Sequence, residues 1–238
     1  MIEYKNEKKV IGIGLHKTGT STLGDALIKL GYKVVGARLD LTESLKKGHI
    51  KPAIQLAKRF DALQDVPWAL LYKELDNAFP NSKFILTERN EDKWLNSILK
   101  HFGNRHWDMH EWIYGKGVAK GNEIIYRNKY RNHNKEVKQY FNNRPNDLLV
   151  MSFENGDEWE KLCDFLNIPV PKTKFPHSNK GKHNYNFQDK SYNFIKKIIP
   201  IKIKLIRIKF LKKLGYPDKG DRFNNREQNN KYKGKMLY

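Results

Sequence analysis

A short β-branched run, Val10-Ile11-Gly12-Ile13, leads straight into Gly14-Leu15-His16-Lys17-Thr18-Gly19-Thr20-Ser21-Thr22. Strand, glycine-flanked loop and helix in immediate succession point to an α/β fold with a buried parallel strand under an anion-binding turn. Gly14 and Gly19 have the spacing of a Walker A loop, G-x-x-x-x-G-K-[ST], whose backbone amides cradle phosphate. The lysine such a loop needs at position 20 is a threonine, and the loop's lysine stands at 17. The cradle is kept while the cation that serves ATP is moved. A loop of this kind is expected to hold a phosphate-like anion without ordinary ATP chemistry.

The pattern downstream supports such a fold. Leu23, Ala26, Leu27 and Leu30 recur at helical spacing and Gly31 stops the helix, whose N-terminus points its dipole and free N–H groups back into the loop. A short strand is expected around Lys33–Val35 and a second core strand across Arg59–Asp65. Pro67 opens a helix with Trp68, Leu71, Leu75 and Phe79 on one face. Lys83–Thr87 reads as a buried strand, followed by a helix capped by Asn90 with Trp94, Ile98 and Phe102 on its apolar face. Residues 104–144 read as helical, polar and aromatic. Asp147–Phe153 is a further strand, and Asp157-x-x-Glu160 caps a helix ending at Leu166. Strands alternating with helices predict an α/β, P-loop NTPase-like three-layer fold, its mostly parallel central sheet flanked by helices.

At 238 residues the chain suits one such domain, expected over 1–189, with a basic C-terminal extension over 190–238. The extension carries +12 of a formal net charge of +20, which suits an anionic partner; the same excess also fits a general bias toward lysine. Within it, residues 194–214 interleave lysines with isoleucines and leucines, a pattern open to two readings: a peripheral membrane contact, or a helix packed on the domain. Residues 221–238 are polar enough to be read as disordered. The single cysteine, Cys163, excludes an intrachain disulfide and reads as a small buried residue beside Trp159, Leu162 and Leu166. No apolar run approaches the ~18–20 residues of a membrane span, and a cytoplasmic location is expected. No nucleic-acid-binding motif appears, so nucleic acid is not expected as a partner.

Ligands in open parallel sheets collect at the carboxyl ends of the strands. Three such ends carry polar residues: the Gly14 loop, Asp65 and Arg89. His16-Lys17-Thr18-Gly19-Thr20-Ser21-Thr22 resembles the 5′-phosphosulfate loop of sulfotransferases that use 3′-phosphoadenosine 5′-phosphosulfate (PAPS). Arg89 and Ser97, eight apart, resemble that family's 3′-phosphate pair, and Lys180-Gly181-Lys182 resembles the basic loop that closes over the same phosphate. Asp65-Val66-Pro67-Trp68, Glu158 to Leu166 and Phe175-Pro176-His177-Ser178-Asn179 are similar to segments of a P-loop sulfotransferase subfamily, so the resemblance runs colinearly over roughly residues 8–185.

The resemblance implies transfer of a sulfuryl group from PAPS to an acceptor hydroxyl, carbohydrate or lipid-linked, with no metal. The amides of Thr18 to Thr22 and the Ser21 and Thr22 hydroxyls would hold the phosphosulfate, with His16 and Lys17 counted in the same cofactor-binding loop. Lys17 would neutralise charge on the bridging oxygen, and Arg89 with Ser97 would take the 3′-phosphate. Asp65 is the first candidate for the base that receives the acceptor proton, with His101, His106 and Glu88 open beside it. His106, Asp108, His110 and Glu111 are not read as a metal site because nothing completes the ligand set. With His101, Trp107, Trp112 and Tyr114 they suit an acceptor-binding lid. Two rival readings stand beside this one: a nucleotide or small-molecule kinase with a degenerate P-loop, and a non-enzymatic basic protein that binds anions or membranes.

Overall fold

The computed structural model describes residues 8–178. Its frame is a five-stranded, all-parallel sheet in the order β2-β3-β1-β4-β5. The strands are β1 (Val10–Gly12), β2 (Val34–Val35), β3 (Ala62–Gln64), β4 (Lys83–Thr87) and β5 (Leu148–Met151). Both faces are covered, as an all-parallel sheet requires, so strand residues are apolar in either direction. Ile11, Leu63, Phe84 and Leu86 point into one layer with Phe60, Trp68 and Leu75. Val10, Ala62 and Ile85 alternate into the other, under α1 (Thr20–Lys29) and α8 (Trp159–Leu166).

Between the strands lie α2 (Thr42–Lys46), α3 (Lys51–Ala57), α4 (Tyr72–Ala78), α5 (Glu91–His101), α6 (Asp108–Tyr114) and α7 (Glu123–Tyr140). A third core joins α5, α6 and α7 to the sheet's carboxyl edge, with Leu15 and Val66 contributing from that edge itself. The Trp94 ring lies flat on Tyr130, centroids 4.3 Å apart, which fixes α5 against α7.

Several expectations are met closely. The strand Lys83–Thr87 has its expected bounds, and the Asn90 side chain accepts from the amides of Asp92 and Lys93 at the start of α5. Three need correction. The helix expected from Pro67 is a 3₁₀ turn over Trp68–Leu70 followed by α4, with a cis Val66–Pro67 bond before it. The strand expected to reach Phe153 stops at Met151, and Phe153–Asn155 forms a 3₁₀ turn. The capping box at Asp157 does not form. The Asp157 carboxylate instead accepts the Ser152 amide at 2.7 Å and the Lys161 ammonium at 2.8 Å. Cys163 is buried as expected, and burial pushes its thiol pKa up, away from nucleophilic use. Among the described residues no helix is long and apolar enough to cross a membrane. The expectations for Lys180-Gly181-Lys182, for 190–238 and for a membrane contact over 194–214 lie outside the described residues.

Candidate active site

β3, β1 and β4 are adjacent, with Gly12 opposite both Gln64 and Ile85, so their carboxyl ends bring the Gly14 loop, Asp65 and Arg89 side by side. The loop itself is shaped by close approaches. A Cβ at Gly14 would sit 2.0 Å from the Thr87 hydroxyl and 2.5 Å from the Thr87 carbonyl. Gly19 has φ +102° and a Cβ there would meet the Phe153 ring at 2.4 Å. Only glycine fits either place. As N-cap of α1, Gly19 also offers no side chain to the first-turn amides, which leaves them for an anion.

The threonine hydroxyls of the loop turn inward. The Thr18 hydroxyl donates to the Leu15 carbonyl at 2.7 Å, so at the 2.6 Å contact between Thr18 and Thr87 the Thr87 hydroxyl is the donor. The Thr20 hydroxyl donates to Asp65 Oδ2 at 2.7 Å, and the Thr22 hydroxyl donates to the Ser178 carbonyl at 3.4 Å. These groups brace the loop, and the Thr22 hydroxyl, read for phosphosulfate, meets the Ser178 carbonyl here. What the loop leaves without a side-chain cap is the first-turn amides of α1.

Lys17 and Asp65 are both non-glycine residues in the left-handed region, at φ 70° and 75°. Each such residue costs about 1–2 kcal/mol and persists only where the surroundings enforce it, a mark of functional positions. Burial holds the Lys17 pKa below the usual lysine range, the Asp65 charge opposes that shift, and Arg89 adds to it. Asp65 accepts the Thr20 hydroxyl on one oxygen and the Val66 amide, at 2.8 Å, on the other.

His16, expected among the cofactor-binding residues of the loop, has its side chain within a block of rings. Its imidazole is buried, 2.9 Å from the Tyr114 hydroxyl, stacked on His110 at 4.9 Å and edge-on to Phe102. Burial, with Lys17 and His101 adding to it, lowers its pKa to about 3. It is a neutral packing residue, and its backbone carbonyl accepts from the Trp94 indole at 3.0 Å. The lid expectation changes for the same reason. Tyr114, His110, Phe102 and Tyr126 pack on one another, and His16 completes the block. His106 precedes α6, so it shares no helical face with His110. His106, Asp108 and Glu111 do lie within 4.8 Å of one another, all exposed, with Lys46 on Glu111.

Arg89 stands just past β4 with its guanidinium half-exposed. Nη1 lies 3.4 Å from the Lys17 carbonyl and Nε 3.9 Å from Glu154. Its backbone is clamped by Tyr130, whose hydroxyl accepts the Arg89 amide at 2.9 Å and donates to the Arg89 carbonyl at 2.8 Å. Ser97, two turns along α5, is half-buried. Of the other base candidates, Glu88 is paired with Lys138 at 2.8 Å, and His101 lies edge-on to Phe102.

Three contributors were not legible beforehand. His133, from α7, lies buried with Nε2 2.7 Å from the Ile13 carbonyl at the foot of the loop. Phe153 closes over Gly19, and Glu154 reaches Arg89. The strand-end rule that selected Asp65 and Arg89 also covers β5 and would have found the last two.

A sulfotransferase domain model matches residues 9–115 and 98–184, a span that includes every strand and the whole loop. Among curated proteins the chain is similar to the Ava biosynthesis cluster protein M of Aspergillus versicolor, 30% identical over 213 residues, covering 71% of this chain and 80% of that protein.

Proposed function

We propose that this chain, which belongs to the sulfotransferase family and is therefore a transferase of sulfuryl groups, takes that group from PAPS and delivers it to an acceptor hydroxyl. The observation that carries the reading is the placement of two cationic residues on adjacent strand ends, Lys17 in an amide-lined loop and Arg89 at the corner after β4, where the Arg89 guanidinium reaches the Lys17 backbone carbonyl at 3.4 Å. PAPS bears a 5′-phosphosulfate and a 3′-phosphate, so it needs two anion sites at a fixed separation. The uncapped start of α1 with Lys17 suits the first, and Arg89 with Ser97 the second. Both fit by donor chemistry: amides and an ammonium at the first, a planar guanidinium and a hydroxyl at the second.

In the transfer, an acceptor oxygen bonds to sulfur as the bond from sulfur to the bridging phosphate oxygen breaks. Lys17, raised out of helical geometry by its positive φ, meets the charge that grows on that oxygen. Asp65, on the neighbouring strand end, receives the acceptor proton. Lys180-Gly181-Lys182 and a carbohydrate or lipid-linked acceptor remain part of the proposal, as do the basic extension over 190–238, its membrane contact through 194–214 and a cytoplasmic site of action. A kinase role is disfavoured by the Thr20 hydroxyl, which donates to Asp65 at the position where ATP chemistry needs a cation.

The test is calorimetric titration with adenosine 3′,5′-bisphosphate, 5′-AMP and ATP. The bisphosphate is expected to bind on the order of tenfold or more tighter than AMP, as one charged hydrogen-bonded contact provides, and Arg89→Ala is expected to abolish that preference. Equal binding of bisphosphate and AMP would overturn the donor assignment. Magnesium-dependent ATP turnover would favour the kinase instead.

A further inference from the structure

Glu154 lies in the 3₁₀ turn after β5, and its carboxylate makes the contacts a phosphate would make at this corner. It accepts the Asn90 amide at 2.5 Å, lies 3.3 Å from the Lys93 ammonium and 3.9 Å from Arg89 Nε. Its side chain is only 22% exposed, whereas that of Lys93 is 64% exposed. The turn that carries it has Phe153 against Gly19, which places the carboxylate beside the guanidinium. Two cations and an amide surround one negative charge. The corner keeps a surplus of one positive charge for any incoming anion.

We propose that Glu154 is a resident counter-ion and specificity-determining residue: it occupies the anion position at Arg89 and sets how strong an anion must be to engage it. The inference rests on the donor reading above. A phosphate dianion has the charge to draw the guanidinium from a carboxylate it already partners, while a weaker anion does not. The carboxylate also repels the bound 3′-phosphate, so it holds product affinity down and speeds product release. Nothing in this role needs Glu154 to touch the reacting atoms.

The experiment is calorimetric titration of wild type, Glu154→Gln and the double variant Arg89→Ala with Glu154→Gln. The ligands are adenosine 3′,5′-bisphosphate and 5′-AMP, at low and at raised salt. Glutamine keeps an acceptor for the Asn90 amide, so the turn is retained and only the charge is lost. Glu154→Gln is expected to bind the bisphosphate on the order of tenfold tighter, with AMP unchanged, the gain shrinking at high salt and vanishing in the double variant. A purely structural role would not produce tighter binding. Bisphosphate affinity that is unchanged or weaker in Glu154→Gln, with wild type still preferring bisphosphate to AMP, would overturn this role alone. Equal affinities for the two nucleotides in wild type and in Glu154→Gln would overturn the donor reading and this role together.

Discussion

The loop after β1 and the corner after β4 are neighbours built by opposite means for the anions proposed to bind there. The loop is made of backbone: two glycines that admit no Cβ, threonine hydroxyls turned inward, and amides left uncapped by Gly19. The corner is made of side chains: Arg89 and Lys93 around Glu154, with Arg127 and Arg131 tied to Glu91 at 2.9 and 2.7 Å just behind. Backbone geometry is not screened by salt, and partly exposed charges are. On the proposed reading the loop fixes where the donor sits, and the corner fixes which donor is accepted. Changing shape should break the first, and changing charge should retune the second.

The largest effect is expected from Gly14→Ala. The new Cβ would meet the Thr87 main chain, which cannot yield without parting β1 from β4. Overpacking of this kind costs about 3 kcal/mol, which lowers the melting temperature by about 10 °C for a domain of this size. Displacing the loop is further expected to reduce sulfuryl transfer about a hundredfold or more. A melting temperature within about 2 °C of wild type with full activity would show that the contact with Thr87 relaxes at little cost.

Next come the charges inside the loop's reach. Lys17→Ala is expected to lower kcat by about 10²–10³, the loss typical of one preorganised group aimed at developing charge. Asp65→Asn is expected to lower kcat by about 10²–10⁴ if it is the base, and the amide can still accept from Thr20. In both, binding of adenosine 3′,5′-bisphosphate should change only a few-fold, since the corner is untouched. Turnover near wild type in Asp65→Asn with the nucleotide still bound would remove Asp65 from the mechanism.

The same contrast explains what the sequence made legible. Strand, loop and first helix were readable because a continuous apolar run and fixed glycine spacing are local signals, and Asn90 announced its own cap. Arg89 was readable as a residue just past the strongly apolar β4. The direction of His16 was not, because it depends on α6 and α7 delivering His110, Tyr114 and Tyr126 from about a hundred residues away. Glu154 was missed for a smaller reason. The strand reading ran on to Phe153, while a 3₁₀ turn with no hydrophobic period returns the next residue toward Arg89. Asp157 looked like half of a capping box because nothing local reveals that its carboxylate is taken by the Ser152 amide.

The smallest effect expected of a single substitution separates the regions by pH. His16 and His110 have pKa values lowered to about 3 and His133 to about 4, in each case chiefly by burial. All three lie behind or beneath the loop, none at the corner. Tyr126 donates its hydroxyl to the Lys116 carbonyl at 2.8 Å, so His110 donates Nδ1–H to Tyr126; His133 donates Nε2–H to the Ile13 carbonyl. Each is neutral in the fold and takes up a proton only on unfolding. A folded pKa below the unfolded value of about 6.5 means stability is full above pH 6.5 and falls as acid approaches the folded pKa. Between pH 6.5 and 5 the carboxylates are still ionised, so this window reports the histidines. Each contributes a slope of up to about 1.4 kcal/mol per pH unit. Chemical denaturation across the window should show stability declining with acid, and His110→Gln should lower the slope by up to one proton. Glu154→Gln should leave the slope unchanged, since the corner carries no buried histidine. A flat stability profile from pH 6.5 to 5 would mean that the block of rings behind the loop takes up protons without unfolding.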